Sequence, residues 1–316
     1  MHVQDPTRLD AGEQAFFLRA LEYIKVKQYE VKHKPLRAIE FIPVSSEAPP
    51  GADTITIRYY DIIGLAKIIH DYASDFPRAD TYGTEQKFPV KSIGASFGYS
   101  IKEIRRAQMA GTPLDQRRAL AAQRMIDEAI DRIAWFGDAT TGLLGLINYP
   151  GINQYVIPQT GVQNGTTLGT PAAAKWVNKT PDQIIADIAG LINAVILTTN
   201  GKEVPNTLIV PTVDYTYLAT TRVSSYSDKN ILTYIKENFL MLSEINWVNE
   251  LAGAGVGGTD RIMVYVKDPE HLTLEIPQPF EQFAPQQENM QFTVPCHAET
   301  AGVICYYPLS IAFGDK

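Results

Sequence analysis

Residues Pro113 to Gly151 read PLDQRRALAAQRMIDEAIDRIAWFGDATTGLLGLINYPG, and this stretch carries the strongest structural pattern in the chain. Its apolar residues recur at intervals of three and four, which places them on one face of a helix. They are Ala122, Met125, Ile126, Ala129, Ile133 and Ala134. Arg124 and Glu128 are four residues apart and opposite in sign, which supports an exposed flank. The pattern predicts a long amphipathic helix.

The same stretch contains start and stop signals for that helix. Thr112 is a suitable N-cap, and Pro113 suits the first helical position, where a missing N–H costs nothing. Gly137 is a suitable residue to end the helix. A glycine-broken loop then leads into the sequence LINYPG. We therefore predict a helix over residues 113–137 with a tight exit.

The helix and its exit, FGD followed by GLLGLINYPGI, resemble the spine helix of tailed-phage major capsid proteins. Those proteins share the HK97-like capsid fold, which bacterial encapsulins also use. The resemblance implies an α+β chain with an N-terminal arm, an extended β-hairpin loop, a peripheral domain that carries the spine helix, and an α/β axial domain. An ordinary surface helix and loop is the alternative for this segment taken alone.

Residues 1–50 are interpreted as the arm. A short amphipathic helix is predicted from Ala11 to Tyr29, and four prolines then interrupt regular structure. They are Pro35, Pro43, Pro49 and Pro50. Because such a segment buries little apolar surface alone, we expect it to become ordered only in an assembly.

Residues 51–92 are interpreted as the extended loop. Thr54 to Tyr59 alternates with period two, and Phe88 to Ile93 resembles a returning strand in which Pro89 indicates an edge. A lone hairpin is only marginally stable in water, so its apolar face needs a cover. That face is formed by Ile55, Ile57 and Tyr59.

In a capsid lattice the cover would be the neighbouring subunit near its spine helix. Arg58 and Lys87 could then meet Asp127 or Asp131 across the interface. Each exposed ion pair adds only about 0–1 kcal/mol, so the apolar contact should dominate. We expect Ile57→Asp to block assembly and to leave the subunit folded.

The rest of the chain is predicted to form two lobes, as its length of 316 residues also indicates. The peripheral domain is assigned to residues 93–150 and 260–316, and the axial domain to residues 151–259. In the axial domain Thr180 to Gln183 forms a capping box ahead of a long apolar helix. Helices and strands then alternate, which favours an α/β lobe.

Composition excludes several classes of protein. No run of about 18 apolar residues is present, and the N-terminus lacks the apolar core of a secretory signal. The two cysteines, Cys296 and Cys305, exclude a disulfide framework. A net charge of −7 argues against a dedicated nucleic-acid binder but not against a shell that encloses DNA. The basic segment 19–37 and the acidic segment 260–316 could complement each other between subunits, or be ordinary surface charge.

Few residues in the sequence are candidates for catalysis. Gly94 to Gly98 matches G-x-S-x-G around Ser96, but a nucleophile elbow needs a strand, a sharp turn and an immediate helix. Here Ser96 lies in an extended run. His271 and His297 follow Ser96 in the chain, an order that a hydrolase triad permits, but no sequence feature identifies either histidine as the catalytic base. An α/β hydrolase that uses Ser96 is therefore only an alternative.

Two further patterns resemble ligand sites. The glycine loop 253–258 lies between predicted strands, whereas a dinucleotide loop opens a helix. Cys296, His297, Glu299 and Cys305 lack the C-x₂₋₄-C spacing of zinc sites, and strand alternation separates the first two. We therefore expect no cofactor, no metal and no enzymatic activity.

The resemblance implies a structural protein whose hexamers and pentamers form an icosahedral shell around phage double-stranded DNA, without sequence-specific binding. It implies a virion location, assembly in the bacterial host cytoplasm, and partners that include scaffolding, portal and decoration proteins but no membrane. The alternative within the same fold is an encapsulin-type shell that holds cargo enzymes. The projecting arm favours the phage interpretation.

Overall fold

The computed structural model describes residues 33–64, 78–111, 117–160, 162–163, 166–167, 174–224 and 226–316. The chain divides into two units, Met1–Pro35 and Leu36–Lys316. The helix predicted from Ala11 to Tyr29 and the predicted cap at Thr112 and Pro113 lie outside the described residues. All of the helices and strands that the structure describes lie in the second unit.

Helices and strands alternate irregularly along this unit. The helices are α1 (Ala38–Phe41), α2 (Ile101–Ala110), α3 (Arg117–Phe136), α4 (Pro181–Thr198), α5 (Thr212–Thr220) and α6 (Ile231–Asn238). The first strands are β1 (Val44–Ser45), β2 (Thr54–Ile63), β3 (Asp80–Pro89), β4 (Lys91–Ser100), β5 (Asn153–Val156), β6 (Val162–Gln163), β7 (Thr166–Thr167) and β8 (Thr207–Val210). The later strands are β9 (Glu244–Trp247), β10 (Arg261–Tyr265), β11 (Leu272–Glu275), β12 (Gln278–Gln282), β13 (Gln286–Glu288), β14 (Gln291–Thr300), β15 (Gly302–Cys305) and β16 (Ile311–Asp315).

A five-stranded mixed sheet separates two hydrophobic cores. Its strand order is β5-β16-β10-β8-β9. Alternate residues of β10 enter opposite cores: Met263 and Tyr265 face the core of α3, while Ile262 and Val264 face that of α4 and α6. Period-two alternation of apolar residues on both faces is what a fully buried strand requires.

This sheet differs from the domain division made on the sequence. Strands β10 and β16 fall in residues 260–316, which were assigned to the peripheral domain. In the structure they lie between β5 and β8, whose residues were assigned to the axial domain. The strands therefore link the two predicted domains through a shared sheet.

Helix α4 begins where the sequence predicted it. The Thr180 hydroxyl accepts from the Gln183 amide, and the Gln183 side chain accepts from the Thr180 amide, which completes the predicted capping box. By length and composition α4 is the one helix among the described residues that could cross a membrane. Its buried apolar residues form much of the second core.

Helix α3 is the predicted spine helix, but its buried face differs from the predicted stripe. The buried residues are Ala122, Ile126, Ile130, Asp131, Ala134 and Trp135. Met125, which was placed on the inner face, is 66% exposed. The predicted ion pair between Arg124 and Glu128 is present at 2.8 Å.

The exit from α3 is held by backbone hydrogen bonds. Gly137 ends the helix with a φ of +67°. The amides of Leu146 and Ile147 then donate to the carbonyls of Ala134 and Trp135, at 2.8 and 2.9 Å. The last carbonyls of the helix are thereby satisfied by its own exit loop rather than by water.

The end of the predicted arm belongs to the core of the second unit. Ala38 and Phe41 are fully buried, and the Phe41 carbonyl accepts a hydrogen bond of 2.8 Å from the Tyr265 hydroxyl. Strand β1 pairs in parallel with β11. The unit boundary at Leu36 is therefore earlier than the boundary at residue 50 that the proline content indicated.

Candidate functional site

The extended hairpin is formed by β2 and β3, which pair over ten residues each, from Thr54 opposite Pro89 to Ile63 opposite Asp80. The returning strand predicted from Phe88 to Ile93 is in fact the end of β3 and the start of β4, separated at Val90. Most of the chain between the two strands of the hairpin, residues 65–77, lies outside the described residues.

The base of the hairpin packs against its own chain. Phe88, Val90, Ala301 and Ile304 form a small buried cluster, and the predicted interface residues Ile55 and Ile57 pack against it. Burial also raises the pKa of Tyr59, the third residue of that predicted face. Part of the cover that the sequence assigned to a neighbouring subunit is therefore supplied within the subunit.

The distal half of the hairpin exposes large apolar side chains. Tyr60 and Ile62 are 72% and 75% exposed, and Ile63 and Tyr82 are exposed on the opposite face. These four residues are here called the hairpin tip patch. The sequence prediction ended the strand at Tyr59 and missed them, although the apolar and β-branched pattern continues to Ile63. Such exposure on a narrow ribbon is typical of a surface that binds a partner.

The charges predicted to cross an interface lie in different settings. Arg58 pairs within the hairpin with Glu85, directly opposite on β3, at 2.9 Å. Lys87 is exposed on β3. Asp127 is half-buried on α3, where burial raises the pKa of its carboxyl.

Asp131, the second predicted acidic partner, is directed into the subunit. Its side chain is buried, and its Oδ1 accepts a hydrogen bond of 2.8 Å from the Ala38 amide. This contact ties α3 to the segment before β1. It disfavours the predicted role for Asp131 in an ion pair with another subunit.

The residues considered for catalysis are not brought together as a hydrolase requires. Ser96 lies in the middle of β4, opposite Pro295 of β14, rather than at a turn that opens a helix. His297 is in β14, while the His271 Nε2 atom lies 2.7 Å from Glu203. Cys296 is buried and His297 is partly exposed, as strand alternation predicted. Among the described residues no group of three metal-ligating side chains occurs.

A buried charge network in the α/β region was not predicted. The Lys179 ammonium lies 2.6 Å from Asp187 on α4, and both side chains are buried. The Trp176 indole donates to the same carboxylate at 3.1 Å. Lys316 forms a second buried pair with Asp214 and lies over the Trp176 ring. The Lys316–Asp214 pair ties the residue after β16 to α5, and the Lys179–Asp187 pair ties the segment before α4 to that helix.

Comparison with known proteins gives a consistent result. A family model described as "Major capsid protein" matches residues 64–316. No curated protein matches the chain. Among solved structures, the capsid of Myoviridae phage XM1 superposes with a TM-score of 0.77 and 19% identity, over 98% of this chain and 99% of that chain.

Two other solved structures extend the similarity. A chain of Mycobacterium phage Bobi has a TM-score of 0.59 and 13% identity, over 98% of each chain. The virus-like particle from Pyrococcus furiosus has a TM-score of 0.53 and 14% identity, over 88% of this chain and 91% of that chain. At these identities the similarity concerns the fold, and it confirms the α+β, HK97-like capsid fold that the sequence predicted.

Proposed function

The chain belongs to the major capsid protein family, and on that premise we propose that it assembles with copies of itself into hexamers and pentamers of an icosahedral shell. It is a structural protein of the phage virion. The observation that supports self-assembly is the hairpin tip patch, which exposes four large apolar side chains on a projecting ribbon. Closed symmetric assembly is the usual way in which such projections are covered.

The proposed contact places one face of the hairpin tip patch, formed by Tyr60 and Ile62, against the α3 surface of the neighbouring subunit. Helix α3 offers exposed apolar side chains there, namely Leu120 and Met125. Complete burial of one isoleucine contributes about 1.5–3 kcal/mol, whereas an exposed ion pair contributes about 0–1 kcal/mol. The apolar contact therefore provides most of the attraction. An ion pair between Lys87 of one subunit and Asp127 of its neighbour would help to orient the hairpin on α3.

The shell so formed would enclose phage double-stranded DNA without reading its sequence. Assembly in the host cytoplasm, with scaffolding, portal and decoration proteins, belongs to the same proposal. Residues before Leu36 would serve as the arm, residues 51–92 as the extended loop, and α3 as the spine of the peripheral domain. The region around α4, α5 and α6 would form the axial domain.

Ile62→Asp tests the proposed contact. Because Ile62 is 75% exposed, the variant subunit should keep its circular dichroism spectrum and its unfolding free energy, yet sediment as unassembled subunits. Tyr226→Asp is the matched control, since Tyr226 is fully exposed and lies outside the hairpin, and it should form normal shells. Normal shells from Ile62→Asp would refute the contact.

Ile57→Asp is now expected to behave differently from Ile62→Asp. Ile57 packs against the subunit's own cluster, so a charge there should also lower the free energy of unfolding. The comparison of the two variants by urea unfolding separates the base of the hairpin from its tip.

The encapsulin-type alternative shares this fold, and the similarity to a virus-like particle keeps it as the second candidate. The content of purified particles discriminates between the two. Nuclease-protected double-stranded DNA would support the phage function, whereas particles that hold only a cargo enzyme would support the alternative.

A further inference from the structure

Helix α2 exposes a row of cations. Lys102, Arg105 and Arg106 are all exposed, and their spacing of three and four residues places them on one face of the helix. Met109 follows on the same face and is 89% exposed. Among the described residues none of the three cations has an ion-pair partner. Lys102, Arg105 and Arg106 are here called the basic face of α2.

The one acidic residue of α2 does not neutralise this face. The Glu103 carboxylate accepts hydrogen bonds of 3.0 Å from the Arg118 guanidinium and from the Ser100 amide, so its charge is already balanced by α3. Residues 91–111 contain four basic residues and one acidic residue, whereas the whole chain has a net charge of −7. A cationic region on an acidic chain directs a polyanion to one part of the surface.

The backbone that carries the basic face is fixed at its start. The Ser100 hydroxyl accepts from the Glu103 amide at 3.2 Å, which completes a capping box. The Ile101 amide donates to the Met290 carbonyl at 3.0 Å, and Arg118 also donates to the Gly98 carbonyl. The helix is therefore formed before any partner binds, and binding has to order only the side chains of the three cations.

The composition of the face indicates which polyanion it fits. Arginine binds phosphate through two parallel hydrogen bonds, and α2 advances about 6 Å from Lys102 to Arg106. This advance matches about two phosphate steps along one strand of a duplex, at about 3.4 Å each. The face has no aromatic residue on which the bases of a single strand could stack. Met109 is its one apolar residue, whereas the core of a protein interface is largely apolar.

We propose that the basic face of α2 is turned toward the interior of the shell and binds the phosphate backbone of the enclosed duplex DNA. The inference rests on the proposed function and names the surface by which the shell contacts its content. Contacts to phosphate carry no sequence information, which agrees with a shell that encloses DNA without reading it.

The salt dependence of duplex binding tests this proposal on unassembled subunits. Each phosphate contact contributes about −0.9 to the slope of log K against log salt. The triple variant Lys102→Gln, Arg105→Gln, Arg106→Gln should therefore reduce the steepness of the slope by about 2.7. Between 50 and 200 mM salt the wild type should lose about 40-fold more affinity than the variant. Fluorescence anisotropy of a labelled 20-base-pair duplex provides the measurement, and circular dichroism should show an unchanged fold.

The matched control removes three exposed cations outside α2, by Lys202→Gln, Arg222→Gln and Lys236→Gln. It changes the net charge equally and should keep the wild-type slope. An equal change of slope in the two triple variants would overturn the proposal, since general charge would then account for binding. Displacement of the duplex by poly-glutamate at an equal concentration of negative charge would indicate an acidic protein partner and would also overturn it.

Photocross-linking tests the same contact in assembled particles. A benzophenone amino acid placed at Met109 should cross-link to the DNA inside the shell, and the same group at the fully exposed Tyr226 should cross-link much less. DNA-filled shells with equal cross-linking at both positions would overturn the contact and leave the proposed function in place. A wild-type protein that forms no shells would overturn the proposed function, while the salt dependence would still decide whether α2 binds DNA.

Discussion

Gly137 and Gly145 at the exit of α3 lie so close together that one added methyl group should break the hydrogen bonds that hold the C-terminal end of the helix. In Gly145→Ala, the new Cβ would lie 2.2 Å from the Gly137 nitrogen and 2.5 Å from the Phe136 carbonyl carbon. Ordinary van der Waals contact begins at 3.4 Å, so the two backbone segments must separate by about 1 Å. Both obstacles are backbone atoms, which have no rotamer by which to move aside.

The cost of this separation follows from what the exit loop holds. The hydrogen bonds from Leu146 and Ile147 to the end of α3 would be lost, at about 1 kcal/mol each. Both side chains are fully buried, and partial exposure of the pair would cost about 2 kcal/mol more. We therefore expect Gly145→Ala to lower the free energy of unfolding by about 4 kcal/mol, which is a large share of a typical domain's stability.

Gly142→Ala in the same loop is the matched control. Gly142 has a φ of +77°, and its nearest neighbour would be a Pro89 side-chain atom at 3.8 Å. An alanine there incurs only the left-handed backbone strain of about 1–2 kcal/mol. Urea unfolding of unassembled subunits, followed by circular dichroism, measures both variants. Equal losses of stability, or a smaller loss for Gly145→Ala, would refute the steric argument.

Three further predictions concern single groups in the subunit. Hydrogen bonds from the Arg118 guanidinium and the Ser100 amide lower the pKa of Glu103 from its ordinary 4.5 to about 2. The contribution of the Glu103 carboxylate to stability should therefore be complete above pH 4.5 and be lost as the pH falls toward 2. Glu103→Gln should flatten the pH dependence of the unfolding midpoint in that window. Asp131→Ala should lower the free energy of unfolding by about 1–3 kcal/mol because it leaves the Ala38 amide without its acceptor, whereas Asp131→Asn should recover most of the loss in the same urea titration. Burial raises the pKa of the Cys305 thiol to about 12, so a thiol reagent at pH 8 should label Cys305 only on unfolding, and rapid labelling of the folded subunit would contradict its burial.

Local sequence signals were sufficient to predict those helix ends that are held by residues close by in the sequence. The capping box at Thr180 and Gln183 predicted the start of α4 because its partners are three residues apart. Gly137 predicted the end of α3 because only a residue tolerant of positive φ fits there. The α+β capsid fold was implied by the resemblance of the spine-helix region to tailed-phage capsid proteins, and the comparisons confirm it.

Contacts between distant residues account for what the sequence did not predict. Asp131 was predicted to meet a charge across an interface, but its Oδ1 accepts a hydrogen bond from the Ala38 amide, 93 residues earlier in the chain. Asp187 likewise occupies a polar position of a helix and is buried because Lys179 and Trp176 satisfy it. A polar residue in a periodic pattern is read as exposed unless its partner is known, and the partner is a property of the fold.

The same reasoning explains why the candidate interface lies farther along the hairpin than the sequence predicted. Alternation identified Ile55 and Ile57 as one apolar face, but it could not show that Ala301 and Ile304 would cover them. The base of the hairpin is therefore stabilised before any partner binds, and it fixes the direction in which the ribbon leaves the subunit. The tip gains no such cover from the described residues, so its apolar groups remain available to a neighbour. In the proposed contact a neighbouring subunit covers the tip, whereas the subunit itself covers the base. Folding of the subunit and its assembly would then depend on different residues of one ribbon.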